Sequence, residues 1–249
     1  MRIDLLCSGS KGNCCLVRSQ SAQILIDCGC TKKYLLSSLE QVGARLEDTD
    51  ALLVSHSHSD HIKGLKFCSS VPIYSYCDLS GCAKEDLQPF DRLQIKDLSI
   101  LIIPLSHDAG NTIGFVIESA TEKLVYVTDT GYIANSNKPY LKGATYYIFE
   151  SNHDVEMLMS TSRPPYLKQR ILSPLGHLNN EESASNLAEL VDANTKEIVL
   201  AHLSQEANTH ELALQTLYST FSRKKQSLEG IEVRAAEQFK ILTIGTNSK

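Results

Sequence analysis

No apolar stretch in this chain approaches the roughly 18 residues that a membrane-crossing helix needs. The opening residues, Met1-Arg2-Ile3-Asp4, lack the cationic and apolar regions of a signal peptide. A cytoplasmic protein with no membrane partner is the expectation. The sequence also lacks a Pro-, Gly- or Ser-rich linker, a low-complexity tract and an internal repeat, so nothing divides its 249 residues. One domain over residues 1–249 is therefore expected. An excess of positive charge is missing too. The formal net charge of -5 argues against a surface uniformly attractive to nucleic acid, while leaving room for a local basic patch. Nothing in composition fixes an oligomeric state.

Cysteine is not scarce, but the spacing that would give it a structural role is absent. Cys7, Cys14, Cys15, Cys28, Cys30, Cys68, Cys77 and Cys82 form no zinc-knuckle pattern, and several lie in apolar runs. In a large chain without an export signal they read as reduced thiols packed as small hydrophobes.

The first third reads as short strands, Ile3 to Cys7, Cys14 to Arg18 and Gln23 to Asp27, separated by polar turns. A helix capped by Thr31 and stopped by Gly43 follows, with Leu35, Leu39 and Val42 on one face. After a strand over residues 51–54, residues 60–68 look helical. The middle is rich in strands: 72–75, 92–95, 99–104, 112–118, 124–128 and 145–149. Helices over 179–193 and 211–222 enclose a strand at 197–201, and a pair of strands at 231–234 and 240–244 closes the chain. That order suits an α+β sandwich of two sheets flanked by helices.

Directly after Ala51-Leu52-Leu53-Val54 comes His56-Ser57-His58-Ser59-Asp60-His61. Side chains on extended backbone alternate, so His56 and His58 point one way, while Asp60 and His61 sit where a helix can begin. One short segment thus offers ligands to two adjacent metal ions. The H-x-H-x-D-H pattern resembles the signature of the metallo-β-lactamase superfamily, which implies a four-layer αββα sandwich.

Further ligands follow at later strand ends. His107 lies in Ser106-His107-Asp108-Ala109-Gly110, just past an apolar strand. Asp129 ends Val125-Tyr126-Val127-Thr128 ahead of Thr130-Gly131, and His202 ends Ile198-Val199-Leu200-Ala201. His56, His58 and His107 would hold one ion and Asp60, His61 and His202 the other. Asp129 would bridge them with a water, its two oxygens spanning cations roughly 3.5 to 4 Å apart. Asp27, after Ile24-Leu25-Ile26, supports the ligand loop by hydrogen bonds or serves only as a turn former. The imidazole-rich set suits two Zn2+ ions, and the oxygen ligands admit Mn2+ or Fe2+.

With these residues in place the resemblance becomes specific. Ser8-Gly9-Ser10-Lys11-Gly12-Asn13, Phe149-Glu150-Ser151-Asn152-His153-Asp154 and Gly176-His177-Leu178-Asn179-Asn180-Glu181 are similar to the YycJ-like (WalJ) branch of the superfamily. The resemblance implies nuclease activity, including 5′-to-3′ exonuclease action on DNA more readily than on RNA. Two departures stand out. Asp129 to His202 leaves no room for the β-CASP domain of RNA-processing relatives, and Asn179 stands where the branch reads Ser. A bridging Asp and the absence of an export signal argue against antibiotic hydrolysis.

The expected chemistry is in-line attack of a metal-bound hydroxide on phosphorus. His177 would protonate the leaving oxygen with Glu150 holding its ring, as in tRNA-processing phosphodiesterases that the pair resembles. The bland alternative makes His177 a polar residue ahead of a helix start. The chemistry is thus expected to depend on Asp60, His177, Glu150 and Asp27, with Ser10, Lys11, Asn13 and His153 against the substrate. Two other functions share the metal core: a small-molecule hydrolase acting on a cyclic phosphodiester or a glyoxalase-type thioester, and a non-catalytic metal-binding regulatory module.

Overall fold

The computed structural model describes residues 1–245. In chain order the strands and helices are β1 (Arg2–Cys7), β2 (Cys14–Arg18), β3 (Gln23–Ile26), α1 (Lys32–Gln41), β4 (Ala51–Val54), α2 (Ser59–Ile62), β5 (Ile73–Ser75), β6 (Glu85–Asp86), β7 (Arg92–Ile95), β8 (Leu98–His107), β9 (Gly110–Glu118) and β10 (Lys123–Val127). They continue with α3 (Lys138–Leu141), β11 (Tyr146–Glu150), α4 (Val155–Ser160), α5 (Pro165–Leu172), α6 (Asn180–Leu190), β12 (Glu197–Ala201), α7 (His210–Arg223), β13 (Glu232–Ala235) and β14 (Leu242–Ile244).

Two seven-stranded sheets result, ordered β14-β1-β2-β3-β4-β5-β6 and β13-β12-β11-β10-β9-β8-β7. In the first, pairing is antiparallel from β14 to β3 and parallel from β3 to β6. In the second it is antiparallel from β7 to β10 and parallel from β10 to β13. The two halves therefore repeat one topology that their residues do not advertise.

Side-chain alternation explains the layers. Ile24, Ile26 and Leu53 of the first sheet meet Ile100, Phe115, Tyr126 and Ile148 of the second in the central core. The opposite faces are covered as well: Leu25, Leu52 and Val54 pack on Leu35 and Leu39 of α1. Val125, Tyr147 and Phe149 pack on Leu187 of α6 and Leu217 and Phe221 of α7. Strands buried on both faces read as unbroken apolar runs, which is why they were legible. The αββα sandwich expected from the sequence is the fold observed.

The helix starts follow their caps. Thr31 Oγ1 accepts a hydrogen bond from Tyr34 N at 3.3 Å, and Asn179 Oδ1 accepts from Glu182 N at 2.9 Å. Gly43, at φ 70°, ends the turn after α1.

Several expectations need correction. Residues 60–68 are not one helix but the single turn α2 and a 3₁₀ turn at Leu65–Phe67, because Gly64 must pass close to the Cys28 carbonyl. The last two strands do not pair with each other: β13 extends the second sheet beside β12, and β14 extends the first beside β1. His107 is the last residue of β8, which runs three residues past the expected end at 104. The short elements β6, α3, α4 and α5 were not foreseen.

Candidate metal centre

Parallel strands carry their carboxyl ends to the same rim, so residues leaving them converge. Asp27 follows β3, Ser55 and His56 follow β4, Asp129 follows β10, Glu150 ends β11 and His202 follows β12. Asp27, Asp129 and His202 adopt positive φ angles of 58°, 60° and 55°. Such conformations cost non-glycine residues of order 1–3 kcal/mol and persist where the surroundings impose them. Each turns a strand end sharply into the rim.

The convergence is close. His56, His58 and His107 present ring nitrogens within 4.8 Å of one another, and so do the ligand atoms of Asp60, His61 and His202. Asp129 lies between these groups: Oδ2 is 3.2 Å from His61 Nε2, while Oδ1 is 3.4 Å from His202 Nε2 and 3.9 Å from His107 Nε2. The arrangement brings together all seven residues expected to hold metal.

Three of these groups carry an atom with no hydrogen bond. Among the described residues, His56 Nε2, Asp129 Oδ2 and His202 Nε2 are buried without a hydrogen-bond partner. A buried polar atom left unpaired costs about 1–3 kcal/mol, and three aimed into one space are what a cation-binding set requires. The donor chemistry, imidazole with carboxylate, fits divalent ions.

The opposite ring edges are fixed. His61 Nδ1 meets Asp27 Oδ2 at 2.7 Å, and the same carboxylate accepts from Ser55 N and Oγ, both at 2.8 Å. His107 Nδ1 donates to the Gly176 carbonyl at 3.0 Å. Glu150 is fully buried, and its Oε1 takes Nδ1 of both His202, at 3.0 Å, and His177, at 2.8 Å. Its Oε2 accepts from Thr130 N at 2.9 Å. Anchoring Nδ1 directs Nε2 of His61, His107 and His202 toward the centre.

The ligand loop itself is seated on backbone. Asn13 N donates to the Asp60 carbonyl at 2.8 Å, and Cys28 N to the His61 carbonyl at 2.8 Å. A Cβ on Gly29 would lie 1.5 Å from the Asp60 carbonyl oxygen, so only glycine admits this approach.

Charge follows from these contacts. Burial pushes the His56 and His107 imidazoles below their ordinary values. Burial also opposes charge on His202, but Asp129 and Glu150 outweigh it and raise the value to about 9. Acting against burial, His202 and His61 hold Asp129 well below the carboxylate range, and His177 and His202 hold Glu150 at about 2.

The substrate set divides. Ser10 and Lys11 are exposed, with Lys11 N bonded to Gln238 Oε1 at 3.0 Å. Asn13 is fully buried, its amide against the Gly9 carbonyl at 3.1 Å and His61 Nε2 at 2.9 Å, so it braces the loop and presents no face to a substrate. His153 is also fully buried, with Nδ1 3.3 Å from Asn152 Oδ1 and Nε2 unpaired among the described residues, which corrects its expected phosphate contact.

Other residues at the site were not foreseen. Ser55 links Asp27 to His56 Nδ1 at 3.0 Å, and Ser8 Oγ accepts from His202 N at 2.8 Å. Asp108 Oδ1 lies 3.5 Å from His58 Nε2 and 3.4 Å from His107 Nε2. Its place directly after His107 was the one available signal. The eight cysteines are free and seven are buried, in keeping with packed thiols.

Residues 22–203 match the beta-lactamase superfamily domain. The chain is 35% identical over 239 residues to the exodeoxyribonuclease YycJ of Bacillus anthracis, covering 90% of each. It is 32% identical over 238 residues to the exodeoxyribonuclease WalJ of Streptococcus pneumoniae, covering 89% of this chain and 88% of that one. The metallo-beta-lactamase fold protein YhfI from Bacillus subtilis shares the fold, with a TM-score of 0.72, 21% identity and coverage of 97% and 98%. A family model spanning most of the chain, together with near full-length relatives, shows that the chain belongs to the YycJ-like branch of the metallo-β-lactamase superfamily, a family of metal-dependent hydrolases.

Proposed function

We propose that the chain, acting as one hydrolase domain over residues 1–249, is a dinuclear metal-dependent phosphodiesterase of nucleic acid. In this reading it is a 5′-to-3′ exonuclease that prefers DNA to RNA and works in the cytoplasm. The observation that carries it is the pairing of the imidazole set around Asp129 with a half-buried His177 held by Glu150 at 2.8 Å. The exodeoxyribonuclease names of the full-length relatives support the substrate class.

His56, His58 and His107 would hold one ion, Asp60, His61 and His202 the other, with Asp129 shared. When bound, a pair of divalent ions, zinc or alternatively manganese or iron, lowers the pKa of a shared water and withdraws charge from the phosphoryl group.

The remaining work falls to this chain's own groups. Glu150 accepts from His177 Nδ1, which leaves Nε2 to carry a proton to the departing sugar oxygen. The carboxylate, held at about 2, keeps its charge at neutral pH and so remains an acceptor that fixes the ring it faces. Glu150 also holds His202, so one buried carboxylate orients a metal ligand and the proton donor together. Asp27 and Ser55 keep His61 and His56 in register. Exposed Lys11 and Ser10 stand at the loop edge, available to an approaching phosphate.

The test is a substrate panel with zinc- or manganese-loaded protein. Release of mononucleotides from the 5′ end of DNA is the expected result. Hydrolysis of a cyclic phosphodiester or a thioester without DNA cleavage would replace this reading with the small-molecule one. No hydrolysis of any substrate would leave the regulatory-module reading.

A further inference from the structure

A cleft of about 260 Å3 opens beside the metal centre, lined by His107, Asp108, Arg163, Arg170, Gly176 and His177. Two of its walls belong to the metal rim and the proton donor. The third comes from the α4–α5 segment, which the ligand motifs do not include, and sets Arg163 and Arg170 beside the apolar Leu167 and Ile171.

The two guanidinium groups are held by one edge only. Arg163 Nε pairs with Glu206 Oε2 at 3.0 Å, and Arg170 Nε pairs with Asp108 Oδ2. Among the described residues their terminal Nη groups have no protein hydrogen-bond partner. The side chains are 24% and 51% exposed, so these donors are reachable from the cleft. A guanidinium fixed at Nε with its other edge free is pre-oriented for the paired oxygens of a phosphate.

An aromatic residue lies one helical turn from Arg170. Tyr166 is 72% exposed and precedes Arg170 by four positions on α5, which places the two side chains on one helix face. An exposed ring one helical turn from an arginine of the cleft is the composition of a nucleobase platform. Each guanidinium charge is offset by its carboxylate partner, so what the cleft offers a phosphate is the unpaired Nη donors.

We propose that this cleft is a phosphate subsite for the substrate strand, in which Arg163 and Arg170 hold a phosphate neighbouring the one attacked and Tyr166 stacks on the adjoining base. The subsite rests on the phosphodiesterase reading for its ligand, and it supplies what the metal centre alone does not: a means of selecting a nucleic acid strand over a small ester. The phosphate is either the terminal monoester of the strand or an internal diester. Both present the same oxygens to the arginines.

The experiment reads binding rather than turnover. A fluorescent phosphorothioate single strand, with either a 5′-phosphate or a 5′-hydroxyl end, is titrated with metal-loaded protein at several salt concentrations. Arg163→Ala is expected to weaken binding about tenfold or more and to flatten the log–log salt dependence by about 0.7, the share of one single-strand phosphate contact. Arg163→Lys restores the salt slope but not the full affinity, since an ammonium keeps the charge and loses the fork. Tyr166→Ala weakens binding with the slope unchanged. Arg92→Ala, at a remote ion pair with Glu118, changes neither.

A loss confined to the phosphorylated end assigns the terminal monoester, and an equal loss for both ends assigns an internal diester. Wild-type affinity and slope in Arg163→Ala and Tyr166→Ala would overturn the subsite. A protein that binds strands through these residues but hydrolyses no phosphodiester keeps the subsite and loses the nuclease reading. One that cleaves DNA with all variants binding alike keeps the nuclease reading and loses the subsite.

Discussion

Asp27 and Asp129 occupy matching places in the two halves of the sandwich. Each directly follows, or follows by one residue, the strand at which its sheet changes from antiparallel to parallel pairing, and each has a φ near 60°. Asp129 turns its carboxylate to the shared centre, within 3.2 Å of His61 Nε2, while Asp27 grips the other edge of the same ring at 2.7 Å. One imidazole is thus held between the equivalent acids of both halves.

This relationship separates two kinds of loss. Asp27→Asn is expected to lower metal affinity about 10–100-fold while leaving two ions bound at saturating metal. Asp129→Ala removes the carboxylate that both proposed ions would share and should reduce the stoichiometry itself. Metal analysis by mass spectrometry after dialysis against graded chelator distinguishes them. Equal metal loss in both variants would contradict the distinction.

His177 and Glu150 should differ in the same way. His177→Ala is expected to lower kcat about 10²–10⁴-fold on DNA with metal content unchanged. The loss should be smaller for bis(p-nitrophenyl) phosphate, whose leaving group needs no proton. Glu150→Gln should lower both kcat and metal content, because the carboxylate also holds His202. Steady-state kinetics on the two substrates, beside metal analysis, check this.

Metal binding should release protons. Despite burial, Asp129 and Glu150 raise His202 to about 9 in the metal-free protein, so at pH 7 it is protonated and must lose that proton to ligate. Against burial, Asp27 and Asp129 likewise raise His61, so affinity should rise with pH as both rings give up their protons. Calorimetry in buffers of differing ionisation enthalpy measures the protons released, and a value of zero at pH 7 would refute the expectation.

His153 makes the metal-free fold sensitive to acid. Burial lowers its value to about 4, below the ordinary value for histidine, so over that window the unfolded chain binds the extra proton. Its contribution is present above about pH 6.5 and is lost as pH falls toward 4, amounting to at most about 3 kcal/mol. Urea denaturation at pH 7 and 4.5 should show a shallower decline in His153→Gln than in the parent.

The convergence was legible because four of the seven expected ligands follow an apolar run within a residue or two, a short-range signal. His56, His107, Asp129 and His202 each had one, and the double-sided burial of their strands made those runs plain. What escaped depends on distant contacts. Ser55 and Asp108 become informative only once Asp27, His58 and Arg170 come beside them. Asn13 and His153 looked like substrate residues because sequence does not reveal that both are sealed inside. The helices α4 and α5 bury only Leu158 and Ile171 and carry little periodic signal. The internal repetition was hidden for a different reason: it resides in strand pairing, not in residue identity.

Because every strand that feeds the centre delivers its residues to one rim, the tight turns at the opposite rim are free of chemistry. Gln20 and Ser21 between β2 and β3, and Ala120 and Thr121 between β9 and β10, are exposed there. A tether, label or fused module attached at either turn would point away from the reactive face, which makes them the natural places to immobilise the hydrolase with its working side outward.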